Sequence, residues 1–202
     1  MHYVELHLGP MFSGKTSHLN QLASRTLAVG HTVELWLPPM SEAGRVNAQK
    51  SQKVTHIPDN VPIHYLEDAQ LTADFLQSLH YPEEKIDVVL IDETHFFARE
   101  PLLQLLLSNL PANHPYAQSE FHCFGLNGTY QLTAWPTISA LLPIATKITH
   151  YQANCSRCGY KVKAGFSHLK ELHPKNDAIK IEGGSDLYEA LCYQCISKLQ
   201  DK

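Results

Sequence analysis

At 202 residues the chain has room for one large domain, or for one domain with a small appendage, and its 44% hydrophobic content can bury a sizeable core. A formal net charge of -4 argues against a surface built to neutralise many nucleic-acid phosphates. No apolar run approaches the roughly 20 residues that span a bilayer, and the N-terminus opens directly on an alternating strand with no cleavable apolar segment. The expected partners therefore include neither nucleic acid nor membrane, and the expected location is cytoplasmic. The 13 histidines are scattered without a metal-ligand spacing and read as solvated or packed side chains.

Tyr3-Val4-Glu5-Leu6-His7-Leu8 alternates as a strand does. It runs into Gly9-Pro10-Met11-Phe12-Ser13-Gly14-Lys15-Thr16, which fits the phosphate-loop pattern G-x-x-x-x-G-K-[ST]. The glycines let backbone N–H groups turn toward phosphate oxygens, Lys15 supplies a cation and the Thr16 hydroxyl can ligate magnesium, so the segment predicts binding of a nucleoside triphosphate. A helix is expected from Lys15 to Ala28, with Leu19, Leu22, Ala23 and Leu27 on one face.

Thr32–Leu37 predicts a second strand ended by Pro38-Pro39, and the polar stretch 38–60 predicts a long loop whose Arg45, Lys50 and Lys53 could close over phosphates. A helix over Leu66–Leu79 follows from the spacing of Leu66, Ala69, Ala73, Leu76 and Leu79. Ile86–Ile91 is an apolar run of the kind buried on both faces of a parallel sheet, and it ends in Asp92-Glu93, the Walker B arrangement. Asp92 is expected to hold magnesium, and Glu93 to take a proton from whatever attacks the γ-phosphate. Glu100-Pro101 opens a further helix with body Leu102–Leu110, and Phe121–Leu126 is the next central strand, with Cys123 a buried core thiol. The alternation predicts a doubly wound α/β domain to about residue 150.

From Ala153 the chain reads as a small, loop-rich module carrying four of the five cysteines. Cys155-x-x-Cys158 and Cys192-x-x-Cys195 lie 33 residues apart, and two such turns form a closed tetrahedral zinc site of structural rather than catalytic type. A pair of disulfides is the alternative, disfavoured in a chain with no secretion signal.

These motifs, together with Ile91-Asp92-Glu93-Thr94-His95-Phe96-Phe97, Gly125-Leu126-Asn127-Gly128-Thr129-Tyr130-Gln131 and Gly183-Gly184-x-x-x-Tyr188, resemble the type II thymidine kinases in the family's order, from residue 1 to about 196. The resemblance implies a RecA-like P-loop domain over 1–150 with a parallel sheet, and a zinc-binding lasso over 151–202. It implies ATP-dependent phosphorylation of the thymidine 5′-hydroxyl, with Glu93 as general base and Thr16 and Asp92 at magnesium. Thr94 and His95, the latter where the family usually has glutamine, fall beside the triphosphate with the phosphate loop. Met11, Phe96, Leu126, Tyr130 and Trp135 match the wall around the base, and Ile181, Gly183, Gly184 and Tyr188 the lasso that grips its edge. A homotetramer or homodimer is also implied.

The chain departs from the family at Asn127, where an acid is common, at Gln131-Leu132, where a basic residue is common, and at Glu182, where an apolar residue is common; Arg45, Arg99 and Arg157 are the cations that could compensate. Two other readings stay open from the residues alone. One is a RecA-like ATPase with a zinc ribbon acting on DNA, and the other a weakened relative that binds nucleotide without transferring phosphate.

Overall fold

Within the 202-residue chain, a computed structural model describes residues 2–38, 57–80, 84–170 and 187–200. Arg45, Lys50, Lys53, Ile181, Glu182, Gly183 and Gly184 lie outside them. Six parallel strands form the central sheet: β1 (Tyr3–Gly9), β2 (Val33–Leu37), β3 (Ile63–Tyr65), β4 (Val88–Ile91), β5 (Glu120–Leu126) and β6 (Lys147–His150), in the order β3-β2-β4-β5-β1-β6. The strand leading into Gly9–Thr16 is thus separated from the one leading into Asp92-Glu93 by β5.

Side-chain alternation divides the core between the two faces of this sheet. Leu19 and Ala23 of α1 (Lys15–Ala28) cover Val33, Leu35, Val88, Leu90 and Phe124 on one face. The other face gathers Val4, Leu6, Leu8, Trp36, Val89, Ile91, Phe121 and Cys123 beneath α3 (Arg99–Leu107) and α4 (Pro136–Leu141). Helices on both faces explain why β4 reads as a continuous apolar run. Cys123 is fully buried, which pushes its thiol up to about 12, as expected of an inert core cysteine.

Several local expectations are corrected. In place of one helix over 66–79 there is a single turn, Asp68–Gln70, followed by α2 (Ala73–Ser78). The Thr72 hydroxyl accepts the Phe75 N–H and so restarts the helix at its own position. The helix expected to open at Glu100-Pro101 does so, from Arg99, but it stops at Leu107 rather than Leu110, where Ser108 turns extended. The two edge strands, β3 and β6, escape the sequence reading altogether; at three and four residues neither offers a full alternation. The C-terminal module is also more ordered than its composition suggests. It holds two antiparallel pairs, β7 (Ala153–Cys155) with β8 (Gly159–Ala164) and β9 (Phe166–Leu169) with β10 (Tyr188–Leu191), and a closing helix α5 (Tyr193–Gln200).

The β6 side of the α1 face is polar. Glu5 accepts from Lys147 Nζ at 2.9 Å and from the Thr149 hydroxyl at 2.7 Å, while His7 Nε2 meets His122 Nδ1 at 3.1 Å and His7 Nδ1 meets the Tyr151 hydroxyl at 2.9 Å. Burial opposes ionisation of Glu5, but these donors outweigh it and hold its pKa down, at about 2, against an ordinary 4.5. Burial keeps His7 neutral, down to about 4 from 6.5. Both shifts leave the unfolded chain binding more protons in acid, so His7 withdraws stability as pH falls from 6.5 toward 4, and Glu5 as it falls from 4.5 toward 2. Scanning calorimetry is expected to show the thermal midpoint dropping through both windows. Glu5→Gln should lower the midpoint at pH 7 and flatten its decline in the lower window; a decline parallel to that of the wild type contradicts the assignment.

Candidate functional site

Because the sheet is parallel, β1, β4 and β5 all end at one edge, and the segments that follow them meet there. Gly9 pairs with Leu126 across β1 and β5, and the Asn127 N–H reaches the Gly9 carbonyl at 3.4 Å. Two glycines are required by the bend itself. A Cβ on Gly9 would lie 2.7 Å from the Tyr151 carbonyl and 2.8 Å from Ser13 Oγ, and Gly14 takes φ +83 at the N-cap of α1. Phe12, half-exposed, also sits in the left-handed region at φ 62. Pro10 and Met11 complete the bend, and the Met11 N–H donates to Ser167 Oγ at 2.9 Å. Thr16 falls in the first turn of α1, which carries no acidic residue, so its N–H groups present an unopposed positive end to an anion. Lys15 Nζ donates to the carbonyls of Gly9 at 3.0 Å and Pro10 at 2.8 Å and lies 3.4 Å from Ser13 Oγ. Burial lowers its pKa, against the pull of the carboxylates of Glu93 and Asp92.

Asp92 leaves β4 with its N–H donated to the Trp36 carbonyl at 3.1 Å, and its Oδ1 accepts the Glu93 N–H at 2.9 Å. Glu93 adopts φ 51, unusual for a residue with a side chain, and its side chain is half enclosed at the strand ends, 52% exposed. Enclosure by protein, and then the neighbouring Asp92 charge, push its pKa up against the attraction of Lys15. Asp92 moves in the same direction through burial. Two carboxylates and one ammonium beside a glycine bend at a helix N-terminus are groups that could serve phosphoryl transfer, which draws on a cation for phosphates, an acid for a metal and a base.

Thr94, His95 and Phe96 form a single turn after Glu93. The buried Thr94 hydroxyl donates to the Ile91 carbonyl at 2.9 Å and pins that turn to the strand end. His95 Nδ1 accepts the Leu126 N–H at 3.2 Å, and its ring packs 4.1 Å from Phe96 and 4.7 Å from Trp135. Phe96 and Trp135, the N-cap residue of α4, meet edge to face at 5.6 Å. Tyr188, buried on β10, has its phenol raised by burial and then by the Tyr130 phenol.

A cleft of about 300 Å³ follows the end of β5, lined by Asn127, Thr129, Leu132 and Thr133 on one side and Gly165, Phe166 and Ser167 on the other. The last three come from the corner between β8 and β9 and escaped the sequence reading; a glycine between two strands is their only sequence signal. Asn127 spans the gap by donating its side-chain amide to the Gly165 carbonyl at 2.9 Å. Thr129 ties the opposite loop through the Thr133 hydroxyl at 2.8 Å, which leaves Leu132 exposed at φ 61 where a basic residue was expected. Two proposed substitutes for that cation are already engaged. Arg99 pairs with Glu100, and Arg157 grips Glu189 through two nitrogens, at 2.6 and 3.2 Å.

The four cysteines of the C-terminal module converge as their spacing predicts. Sγ separations of 3.8 Å (Cys155–Cys195), 3.9 Å (Cys158–Cys192) and 3.4 Å (Cys158–Cys195) bracket the roughly 3.8 Å edge of a tetrahedron with 2.3 Å metal–sulfur bonds. All four ligand atoms lie within 4.8 Å of one another, and none of these residues is in a disulfide. The Cys192 N–H also points at Cys155 Sγ, at 3.4 Å, a contact that favours the thiolate.

Comparison with known proteins follows the same lines. The family model for thymidine kinase matches residues 2–196. A thymidine kinase of myxoma virus (strain Lausanne) is 31% identical over 192 residues, covering 95% of this chain and 94% of the viral one. That of Amsacta moorei entomopoxvirus is 30% identical over 204 residues, with 95% and 96% covered. Thymidine kinase a of Arabidopsis thaliana is 26% identical over 196 residues, covering 94% of this chain and 72% of its own.

Proposed function

Since the chain belongs to the thymidine kinase family and is a kinase, we propose that it transfers the γ-phosphoryl group of ATP to the 5′-hydroxyl of thymidine, with Glu93 as general base. The observation that carries this reading is Glu93 itself, a half-exposed carboxylate held at φ 51 beside Asp92 and Lys15. In the proposed step the 5′-oxygen gives its proton to Glu93 and forms a bond to the γ-phosphorus, while the bond from that phosphorus to the β-bridging oxygen breaks and ADP leaves. The loop Gly9–Thr16 wraps the triphosphate and Lys15 neutralises it. Thr16 and Asp92 would hold magnesium, which would supply charge neutralisation.

Phe96, Trp135, Leu126, Tyr130, Met11 and Tyr188 enclose the base. Ile181, Gly183 and Gly184 complete the proposed nucleoside-binding set. On this reading the nucleotide-binding domain ends at about residue 150, and the protein is a cytoplasmic homotetramer or homodimer. Among the described residues no helix is long and apolar enough to cross a membrane. Family membership sets aside the reading as an ATPase acting on DNA. A coupled ATP-consumption assay across thymidine, deoxyuridine, deoxycytidine and the purine deoxynucleosides tests the proposal. Turnover with thymidine supports it, and turnover with no deoxynucleoside would leave only a nucleotide-binding relative.

We also infer that the Cys155, Cys158, Cys192 and Cys195 site holds one structural zinc per chain. Elemental analysis of folded, reduced protein is expected to find one equivalent, and none would remove the assignment. Cys192→Ser should lose the metal and raise the KM for thymidine more than that for ATP, because Cys192 directly follows β10, the strand that carries Tyr188 of the proposed nucleoside set.

A further inference from the structure

The ring of His95 has its orientation and its proton fixed by its surroundings. Nδ1 accepts the Leu126 N–H at 3.2 Å, so in the neutral ring the proton sits on Nε2. That nitrogen stands 3.5 Å from Glu93 Oε2. The His95 side chain is completely buried while that of Glu93 is 52% exposed, so the donor is immobile and the acceptor is free to turn. Phe96 and Trp135 clamp the ring at 4.1 and 4.7 Å. On the strand behind it, a Cβ on Gly125 would come within 2.9 Å of Ile138 Cδ1, while His95 Nδ1 would lie at an ordinary contact distance of 3.6 Å, so the strand packs directly against the ring.

We propose that His95 is a positioning residue for Glu93, its Nε2–H holding the carboxylate in the orientation from which it accepts the hydroxyl proton. The inference rests on Glu93 being the base. A separation of 3.5 Å is long for a hydrogen bond and shortens with a small rotation of the exposed carboxylate, as catalytic contacts do when substrates bind. Asp92 and Lys15 also face Glu93, but one repels it and the other is tied to the loop carbonyls of Gly9 and Pro10. Neither supplies a fixed donor on the His95 side. A histidine fixed this way differs from one that touches the triphosphate: its loss acts on turnover and spares ATP affinity.

Two substitutions separate the ring nitrogens. Asparagine places a polar atom near Nδ1 and can still accept from Leu126, but it has nothing at Nε2; glutamine reaches the Nε2 position. Steady-state kinetics with thymidine and ATP is expected to show His95→Asn losing about 10-fold in kcat with both KM values within about twofold of wild type, a fraction of what general-base catalysis supplies. His95→Gln should recover most of that loss, and thermal midpoints confirm that both variants fold. Retained turnover in His95→Asn overturns the inference. So does a loss confined to the KM for ATP, which places His95 on the triphosphate, or a glutamine variant no better than asparagine, which reduces the ring to packing. Glu93→Gln is measured alongside: if it keeps its turnover the base assignment itself fails, whereas if it is inactive and His95→Asn is not, only the positioning role is lost.

Discussion

Glu93→Gln is expected to lower kcat by about 10²-fold or more while leaving the KM values for thymidine and ATP close to wild type. The amide keeps the size of the side chain and its capacity to hydrogen-bond but cannot accept the proton of the 5′-hydroxyl. The same change should stabilise the apoprotein at pH 8. Enclosure and the Asp92 charge raise the folded-state pKa of Glu93 above its unfolded value, so ionising it costs stability that glutamine restores. The sign follows from linkage: a carboxyl group with a raised pKa is destabilising above that pKa and neutral in effect below the unfolded value of 4.5. A higher thermal midpoint at pH 8, converging with wild type near pH 4, together with the collapse in kcat, is a signature that a helix-capping acid does not give. Preserved turnover removes Glu93 from catalysis.

Lys15→Ala is expected to abolish detectable phosphoryl transfer. The ammonium is the one cation among the described residues that the phosphate loop itself carries, and its present acceptors, the Gly9 and Pro10 carbonyls, belong to the same loop. An anion entering the loop offers stronger, charge-assisted partners than two neutral carbonyls, so the side chain can exchange one set for the other. Folding should survive, since the aliphatic stem contributes little to the core and removing the ammonium also removes a buried charge. Equilibrium dialysis with labelled ATP should show weakened binding at an unchanged thermal midpoint. Near-normal turnover at saturating ATP would mean that this loop is not the donor site.

What the sequence made legible follows the range of the interactions involved. The Gly9–Thr16 bend, Asp92-Glu93 at a strand end and the cysteine pairs are set by local backbone demands or by ligand spacing, and the four cysteines converge as that spacing predicts. The edge strands β3 and β6 were not legible, because each is stabilised by pairing with a distant strand rather than by its own pattern. Ser167 and Gly165 became visible only when the corner between β8 and β9 was seen to face Met11 and Asn127, contacts 156 and 38 residues apart in the chain. The polar residues on β1 were read as one side of an alternation. They form a buried network, because Lys147 and Thr149 arrive from β6 to satisfy Glu5.

The strand order also bears on how the chain is made. β1 emerges first from the ribosome, yet its two neighbours in the sheet are β5 and β6, and its register partner for Gly9 is Leu126. At roughly 5–20 residues per second of synthesis, β1 waits on the order of 6–23 seconds for that partner. During the wait Val4, Leu6 and Leu8 have no sheet to join, and the glycine bend that follows them has no Leu126 or Tyr151 to pack against. Nascent chains stalled before residue 120 are therefore expected to display this apolar segment to chaperones, and nucleotide cannot assist folding until most of the protein has been translated.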